Sequence, residues 1–361
     1  DCLYLNVWAP ADGRKNLPVY VWYFGGGLQV GNTTEMEFDG ERIARRGVVV
    51  VTVGYRLNCF GFLCHPEITA ETPDAPANFG FLDQQCATRW VKRNIAAFGG
   101  DPDNITIGGQ SAGGMSVQQH CLSPLTEGLF QRAVMSSGGG VSKMLAASSA
   151  EKNYAFWEKT MEYAGCENLE QFRAISPEKL FDAWNQTKKE LHSPGTFPCI
   201  DGQLVVGTGA ELLAAGKQRQ IPYMAGSTSE DMMPPILQSM ARKWCAAQEN
   251  DSYVWYFDRQ LPGDENGAWH SSDLWYWFGT LPNCWRPMEQ KDYDLSVQMV
   301  DYLCNFVRNG NPNDEKDLPA WNPSDNKHKK VLVLGENPTG MGRPNKLKMI
   351  CTMLTNKAVG E

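Results

Sequence analysis

Apolar positions along this chain fall into two alternating patterns. Continuous apolar runs, several rich in valine, occupy residues 3–9, 18–24, 48–55, 104–108, 133–136, 221–225, 253–257 and 331–334. A run with no polar alternation is what a strand covered on both faces requires, so each is predicted as a strand. Between them, helical patterns lie at residues 41–46, 79–98, 114–121, 152–163, 177–189 and 295–308. Strands alternating with helices predict an α/β fold with a mostly parallel central sheet flanked by helices. Residues 140–220 are mainly helical and polar, and are expected to form a cap inserted over the sheet within one domain spanning 1–361. The stretch 336–361 is polar and at first rich in Pro and Gly, and shows no readable element.

Composition narrows the function classes. With 361 residues, 42% hydrophobic and 20% charged, the chain has material for an ample core. A net charge of −8 and the lack of any Lys/Arg-dense stretch argue against nucleic-acid binding. No apolar run approaches the roughly 20 residues of a membrane-spanning helix. None of the 11 cysteines stands in C-x-x-C or zinc-ligand spacing, so no metal is expected. Their odd number and apolar neighbours predict reduced, buried thiols and a cytoplasmic location. Nothing in the pattern speaks to oligomeric state.

The strongest chemical signal is Gly109-Gln110-Ser111-Ala112-Gly113-Gly114, which follows the strand at 104–108 and precedes a helical pattern. Small residues two positions either side of a serine permit a sharp strand-to-helix turn that lifts its hydroxyl out of the backbone. Ser111 is therefore the candidate nucleophile, and the helix that begins there aims its amides where negative charge develops. A second signal, Gly25-Gly26-Gly27, follows the strand at 18–24. By itself a glycine triplet is a flexible turn or a phosphate loop, but no Lys-Ser/Thr pair follows this one. Paired with the serine motif, it reads as an oxyanion loop of an α/β-hydrolase fold.

These segments resemble the type-B carboxylesterase and cholinesterase family over nearly the whole chain. The resemblance rests on Asp1-Cys2-Leu3-Tyr4-Leu5-Asn6-Val7, Val49-Val50-Val51-Thr52-Val53-Gly54-Tyr55-Arg56-Leu57, Asn78-Phe79-Gly80-Phe81-Leu82-Asp83-Gln84 and Asn94-Ile95-Ala96-Ala97-Phe98-Gly99-Gly100-Asp101-Pro102, in this order. It implies a serine–acid–histidine triad in that chain order. Of the five histidines, His65 and His120 violate the order or lie on the nucleophile's own helix, His192 falls in the cap, and His328 sits in a lysine-rich loop. His270 is left, in a segment similar to the family's histidine loop. The acid lies in Gly226-Ser227-Thr228-Ser229-Glu230-Asp231-Met232, where the family register favours Asp231 and leaves Glu230 as an alternative.

Three departures stand out. Phe24 precedes the glycines where many relatives have histidine, Gln110 replaces the usual glutamate before the serine, and only 39 positions separate Asp231 from His270. The strands that precede the Asp1-Cys2-Leu3 block in relatives are also expected to be absent. The implied activity is hydrolysis of small to medium carboxylic esters through an acyl-enzyme, with amides of Gly26, Gly27 and Ala112 holding the oxyanion and no cofactor. Of the rings beside His270 (Trp269, Trp275, Tyr276, Trp277 and Phe278), most are expected to pack the core and one or two to line a pocket. Alternatives are a lipase, a feruloyl-type aryl esterase, or a non-catalytic scaffold or adhesion module of the same fold.

Overall fold

The valine-rich runs form the centre of one large sheet because alternate side chains feed opposite cores. On β2 (Leu17–Tyr23) and β3 (Val49–Val53) every residue is buried. Tyr20, Trp22 and Val50 pack on one face, and Val19, Val21, Val49 and Val51 on the other. A strand sandwiched in this way has no solvent face and so shows no polar alternation. The computed structural model describes residues 2–139, 148–195, 198–313, 318–325 and 327–359.

Chain order continues from β1 (Leu5–Trp8) through β2 and β3 to β4 (Gly100–Gln110), β5 (Arg132–Ser136), β6 (Ser148–Ser149), β7 (Cys199–Ile200), β8 (Tyr223–Thr228), β9 (Tyr253–Asp258), β10 (Val331–Gly335) and β11 (Gly340–Gly342). Nine of these make a single sheet in the order β1-β3-β2-β4-β5-β8-β9-β10-β11, while β6 and β7 pair separately. The sheet is parallel from β3 to β10, and the edge strands β1 and β11 run antiparallel to their neighbours. This is the architecture of an α/β-hydrolase. Every expected strand is present; β4 is longer than the apolar run at 104–108 and reaches Gln110 directly before Ser111.

Besides several short helices, two of 12 and 14 residues went unread in the sequence, and each has a physical reason. Pro234–Cys245 opens on two prolines and buries Gln238 beside its apolar residues, which blurs the pattern. Lys346–Val359 buries Met349 but turns Leu347, Ile350 and Leu354 toward solvent, so its apolar residues do not mark one inward face.

The inserted region between β5 and β8 holds the β6–β7 pair and, among the described residues, the helices Glu151–Tyr163, Leu169–Ala174, Pro177–Glu190 and Gly209–Ala214. Its residues 140–147 and 196–197 lie outside the described residues. Asn168, Ser176 and Thr208 cap three of these helices by accepting backbone N–H groups in the first turn. The insertion has small cores of its own. Trp157, Trp184 and Cys199 pack with Cys59 and Cys64 of the body, and Met161, Leu169 and Phe172 pack with Ile68. No helix among the described residues is long and apolar enough to cross a membrane.

Candidate active site

The chemistry gathers where the parallel strands end. Ser111 leaves β4 with φ 55° and ψ −124°, a conformation rarely open to a residue with a side chain, and the helix Ala112–Leu122 starts immediately. Such backbone costs on the order of 1–3 kcal/mol and must be held by its surroundings. The glycines explain how. A Cβ on Gly113 would lie 2.0 Å from the Tyr23 carbonyl oxygen, and one on Gly109 would lie 2.4 Å from the Gly113 carbonyl. Only bare backbone lets β2, β4 and the helix approach this closely. The turn is tied to β5 by the Ser111 amide, which donates to the Ser136 carbonyl at 2.9 Å.

His270 and Asp231 come from the loops after β9 and β8. Those loops are laced together one residue before Asp231 and two before His270: the Glu230 amide donates to the Ala268 carbonyl at 3.0 Å, and the Ala268 amide to Glu230 Oε2 at 2.9 Å. Asp231 Oδ1 then lies 2.6 Å from His270 Nδ1. The shorter aspartate side chain therefore reaches the imidazole. Glu230 instead turns toward Lys348 Nζ at 2.7 Å and also accepts from Ser229, so it is not the partner of His270.

Asp231 is fully buried and heavily solvated by the protein. It accepts from Ser137 Oγ at 2.5 Å, from the Met232 amide at 2.8 Å, and from Thr228 through both its amide and its hydroxyl. Burial pushes its carboxyl up, but His270 and these donors together outweigh burial and hold it below the ordinary carboxylate range. For His270, burial disfavours the charged form. The hydrogen bond and charge of Asp231, with Asp273 adding, overcome that and keep the imidazole above its usual value.

Three partners of this site were given no role in the sequence, although Gln110 stood out there as a departure from the family. Ser136 and Ser137, consecutive at the end of β5, separate two carboxyls: Ser137 donates to Asp231, and Ser136 Oγ donates to Asp273 Oδ2 at 3.0 Å. Asp273 is fully buried; burial, with the Asp231 charge adding, pushes its carboxyl up to about 6. Gln110 is the third, with its amide nitrogen 3.1 Å from His270 Nε2.

Ser111 and His270 open on a cavity of about 450 Å³. Of the expected oxyanion residues, Gly27 and Ala112 border it, whereas Gly26 does not. Gly26 shapes the loop instead: at φ 101° its carbonyl accepts the amides of Gln29 and Val30 at 3.0 and 3.1 Å. Phe24 is buried, stacked on Tyr55 at 4.4 Å between centroids, and away from the cavity. The walls are apolar, from Leu28, Phe81, Met115, Met232, Met233 and Leu237, and the insertion contributes Ser148, Pro194 and Pro198.

The rings expected beside His270 do not line this cavity. Trp275, Tyr276, Trp277 and Phe278 are buried in the core under the sheet, where Trp277 meets Trp255 edge-on and Phe278 meets Trp22. Trp269 lies in a separate groove beside Lys348. The other histidines do different work. His120 is buried against Gln84 and pushed down to about 3 by desolvation, His65 caps the helix Pro66–Glu71, and His328 is exposed beside Asp325. Among the described residues, no group of three His, Cys, Asp or Glu side chains is placed to hold a metal ion.

Comparison with known proteins identifies the family and the fold. The model of the "Carboxylesterase family" matches residues 1–251 and 234–350. The chain is 38% identical over 381 aligned positions to para-nitrobenzyl esterase of Bacillus subtilis (strain 168), covering 89% of this chain and 77% of that protein. It is 40% identical over 256 positions to bile salt-activated lipase of Mus musculus, covering 64% of this chain but only 40% of the lipase. Among solved structures, a PNB esterase superimposes with a TM-score of 0.84 at 26% identity, over 98% of this chain and 85% of that one. A Geobacillus stearothermophilus carboxylesterase gives 0.82 at 28% identity, over 97% and 85%. This chain belongs to the carboxylesterase family and is a carboxylic-ester hydrolase of the α/β-hydrolase fold.

Proposed function

We propose that Ser111 is the nucleophile, His270 the proton carrier and Asp231 the group that orients it, acting on small to medium uncharged esters. The observation that carries this reading is the 2.6 Å contact between Asp231 and His270 Nδ1, beside a serine held at a strained turn on the same cavity. With its Nδ1 proton engaged by Asp231, the neutral imidazole keeps the Nε2 lone pair to take the Ser111 proton. Ser111 Oγ adds to the ester carbonyl, and the amides of Gly27, on the loop shaped by Gly26, and of Ala112, at the start of the helix, receive the negative charge. His270 returns the proton to the leaving alcohol, and water repeats the sequence on the acyl-enzyme.

The substrate class follows from the walls. Among the described residues, His270 is the one ionisable side chain that borders the cavity, so a charged substrate would lose hydration without gaining a partner from them. The insertion acts in this proposal as a cap that closes one side of the cavity. A reducing, cytoplasmic setting belongs to the same reading. Cys121, Cys245 and Cys304 are buried, and burial pushes the Cys121 and Cys304 thiols up to about 12, which suits unreactive packing groups.

The test is hydrolysis of p-nitrophenyl acetate and butyrate by the wild type and Ser111→Ala, with folding followed by circular dichroism. The expected loss in kcat for the variant is about 10⁴-fold or more. A folded wild type inactive on both esters sinks the assignment and puts a scaffold role in its place. Turnover confined to long-chain or aryl esters moves it to a lipase or feruloyl-type esterase.

A further inference from the structure

Gln110 is 3% exposed, ends β4, and directs its side chain at the imidazole that is to deprotonate its neighbour. Its amide nitrogen lies 3.1 Å from His270 Nε2, while Asp231 holds Nδ1 at 2.6 Å. An imidazole whose Nδ1 donates to a carboxylate carries, when neutral, a lone pair on Nε2. The Gln110 N–H therefore donates to that lone pair. A protonated ring has N–H on both nitrogens and would face the Gln110 amide donor to donor. The contact thus favours the neutral ring.

This lone pair is the one Ser111 must reach. Among the described residues, the hydrogen-bond partner of Nε2 is Gln110, not Ser111 Oγ. Space for the arrangement comes from the glycine loop, since a Cβ on Gly25 would lie 2.8 Å from Gln110 Oε1 and 2.9 Å from its carbonyl oxygen. The charged groups facing the ring are Asp231 from the loop after β8 and Asp273 from its own loop; Glu230 is turned away and paired with Lys348. Two carboxyls thus draw the ring toward protonation, and one amide opposes them.

We propose that Gln110 is a positioning residue: it occupies Nε2 of His270 in the resting enzyme, favours the neutral imidazole against the two carboxyls, and yields that lone pair to Ser111 when an ester seats. Its consequence for turnover rests on the assignment of His270 as the base; its effect on the ring does not. Gln110 gives the site a resting state in which the base is ready but engaged. The exchange needs only a side-chain rotation, because Gln110 and Ser111 are adjacent in the chain.

The experiment is an NMR titration of His270 in protein carrying ¹⁵N-labelled histidine, with the signal assigned by its loss in His270→Gln. Wild type, Gln110→Met and Gln110→Glu are compared, alongside the pH dependence of kcat/KM on p-nitrophenyl butyrate. Methionine fills the same volume without a donor, so Gln110→Met raises the His270 pKa by a few tenths of a unit. Gln110→Glu places a third carboxylate against the ring and raises it by about 1–2 units. The acid limb of kcat/KM moves up with it in both variants. An unmoved or lowered His270 pKa in Gln110→Met overturns the proposal, whether or not Gln110→Glu folds. If the NMR shifts occur but the kinetic limb stays put, Gln110 does not act through the base and the proposal fails at its second half. Because the titration is read without turnover, it also distinguishes failure here from failure of the Ser111 assignment.

Discussion

The sheet end and the inserted helices contribute differently to the same cavity. Ser111, Asp231 and His270 stand on strand ends or on loops laced to one another, with bare backbone contacts and buried donors around them. The insertion meets the cavity through Ser148, Pro194 and Pro198, and rests on two small cores of its own. Reacting groups must be held to a few tenths of an ångström, which only an interior packed on every side can do. A wall needs shape but not that precision. Under the proposed mechanism, the comparison predicts that rate is set from the sheet and selectivity from the insertion.

The largest effect should come from the sheet side. Asp231→Asn keeps the volume of the buried acid but takes away the charge that fixes the His270 tautomer. A fall in kcat of about 10⁴-fold is expected for esters of every chain length, as for the corresponding change in serine proteases. A loss that varied with the acyl chain would break the division between rate and selectivity.

The insertion should answer differently. Ser148→Leu adds volume to the wall at β6, so butyrate should be excluded relative to acetate. The ratio of kcat/KM for p-nitrophenyl acetate over butyrate is expected to rise about tenfold, in the range a methylene or two commands in an apolar pocket. If kcat on acetate fell as steeply as on butyrate, the insertion would be part of the rate machinery.

The smallest effect concerns pH. His270 is held above its ordinary value partly by Asp273, and only the neutral imidazole can accept the Ser111 proton. Activity is therefore lost as pH falls through the raised pKa. Asp273→Asn removes one negative charge, lowers that pKa, and should shift the acid limb of kcat/KM down by up to about one unit. An upward shift would show that Asp273 acts on His270 by something other than its charge.

How much of this was legible in the residues can be traced position by position. The strands were readable because burial on both faces abolishes polar alternation, as in Val49–Val53. Ser111 was readable because its turn admits only small residues at Gly109 and Gly113, a constraint that is local in the chain. His270 followed from the family's triad order. Between Asp231 and Glu230 the register alone left two answers, since adjacent carboxylates differ only in direction. The bonds that Glu230 makes to Ala268 through its amide and its carboxylate chose between them.

The terminal helix shows the opposite limit. Asn356 Nδ2 donates to the backbone carbonyl of Asp231 at 3.2 Å, across a separation of 125 positions, from a segment whose exposed apolar residues concealed its helical form. Trp275 to Phe278 show the same limit from the other side. Their composition suits a pocket wall as well as a core, and only the packing of Trp277 on Trp255 and Phe278 on Trp22 decides for the core.

The sequence by itself determined the parallel sheet and the serine turn, because each depends on residue type at short range; the order of the triad came only from the family resemblance. The tertiary structure alone decided which carboxylate faces His270, that Gln110 sits on its other nitrogen, and which side chains wall the cavity. Those are matters of direction between segments far apart in the chain, and a side chain's direction is set by what packs around it.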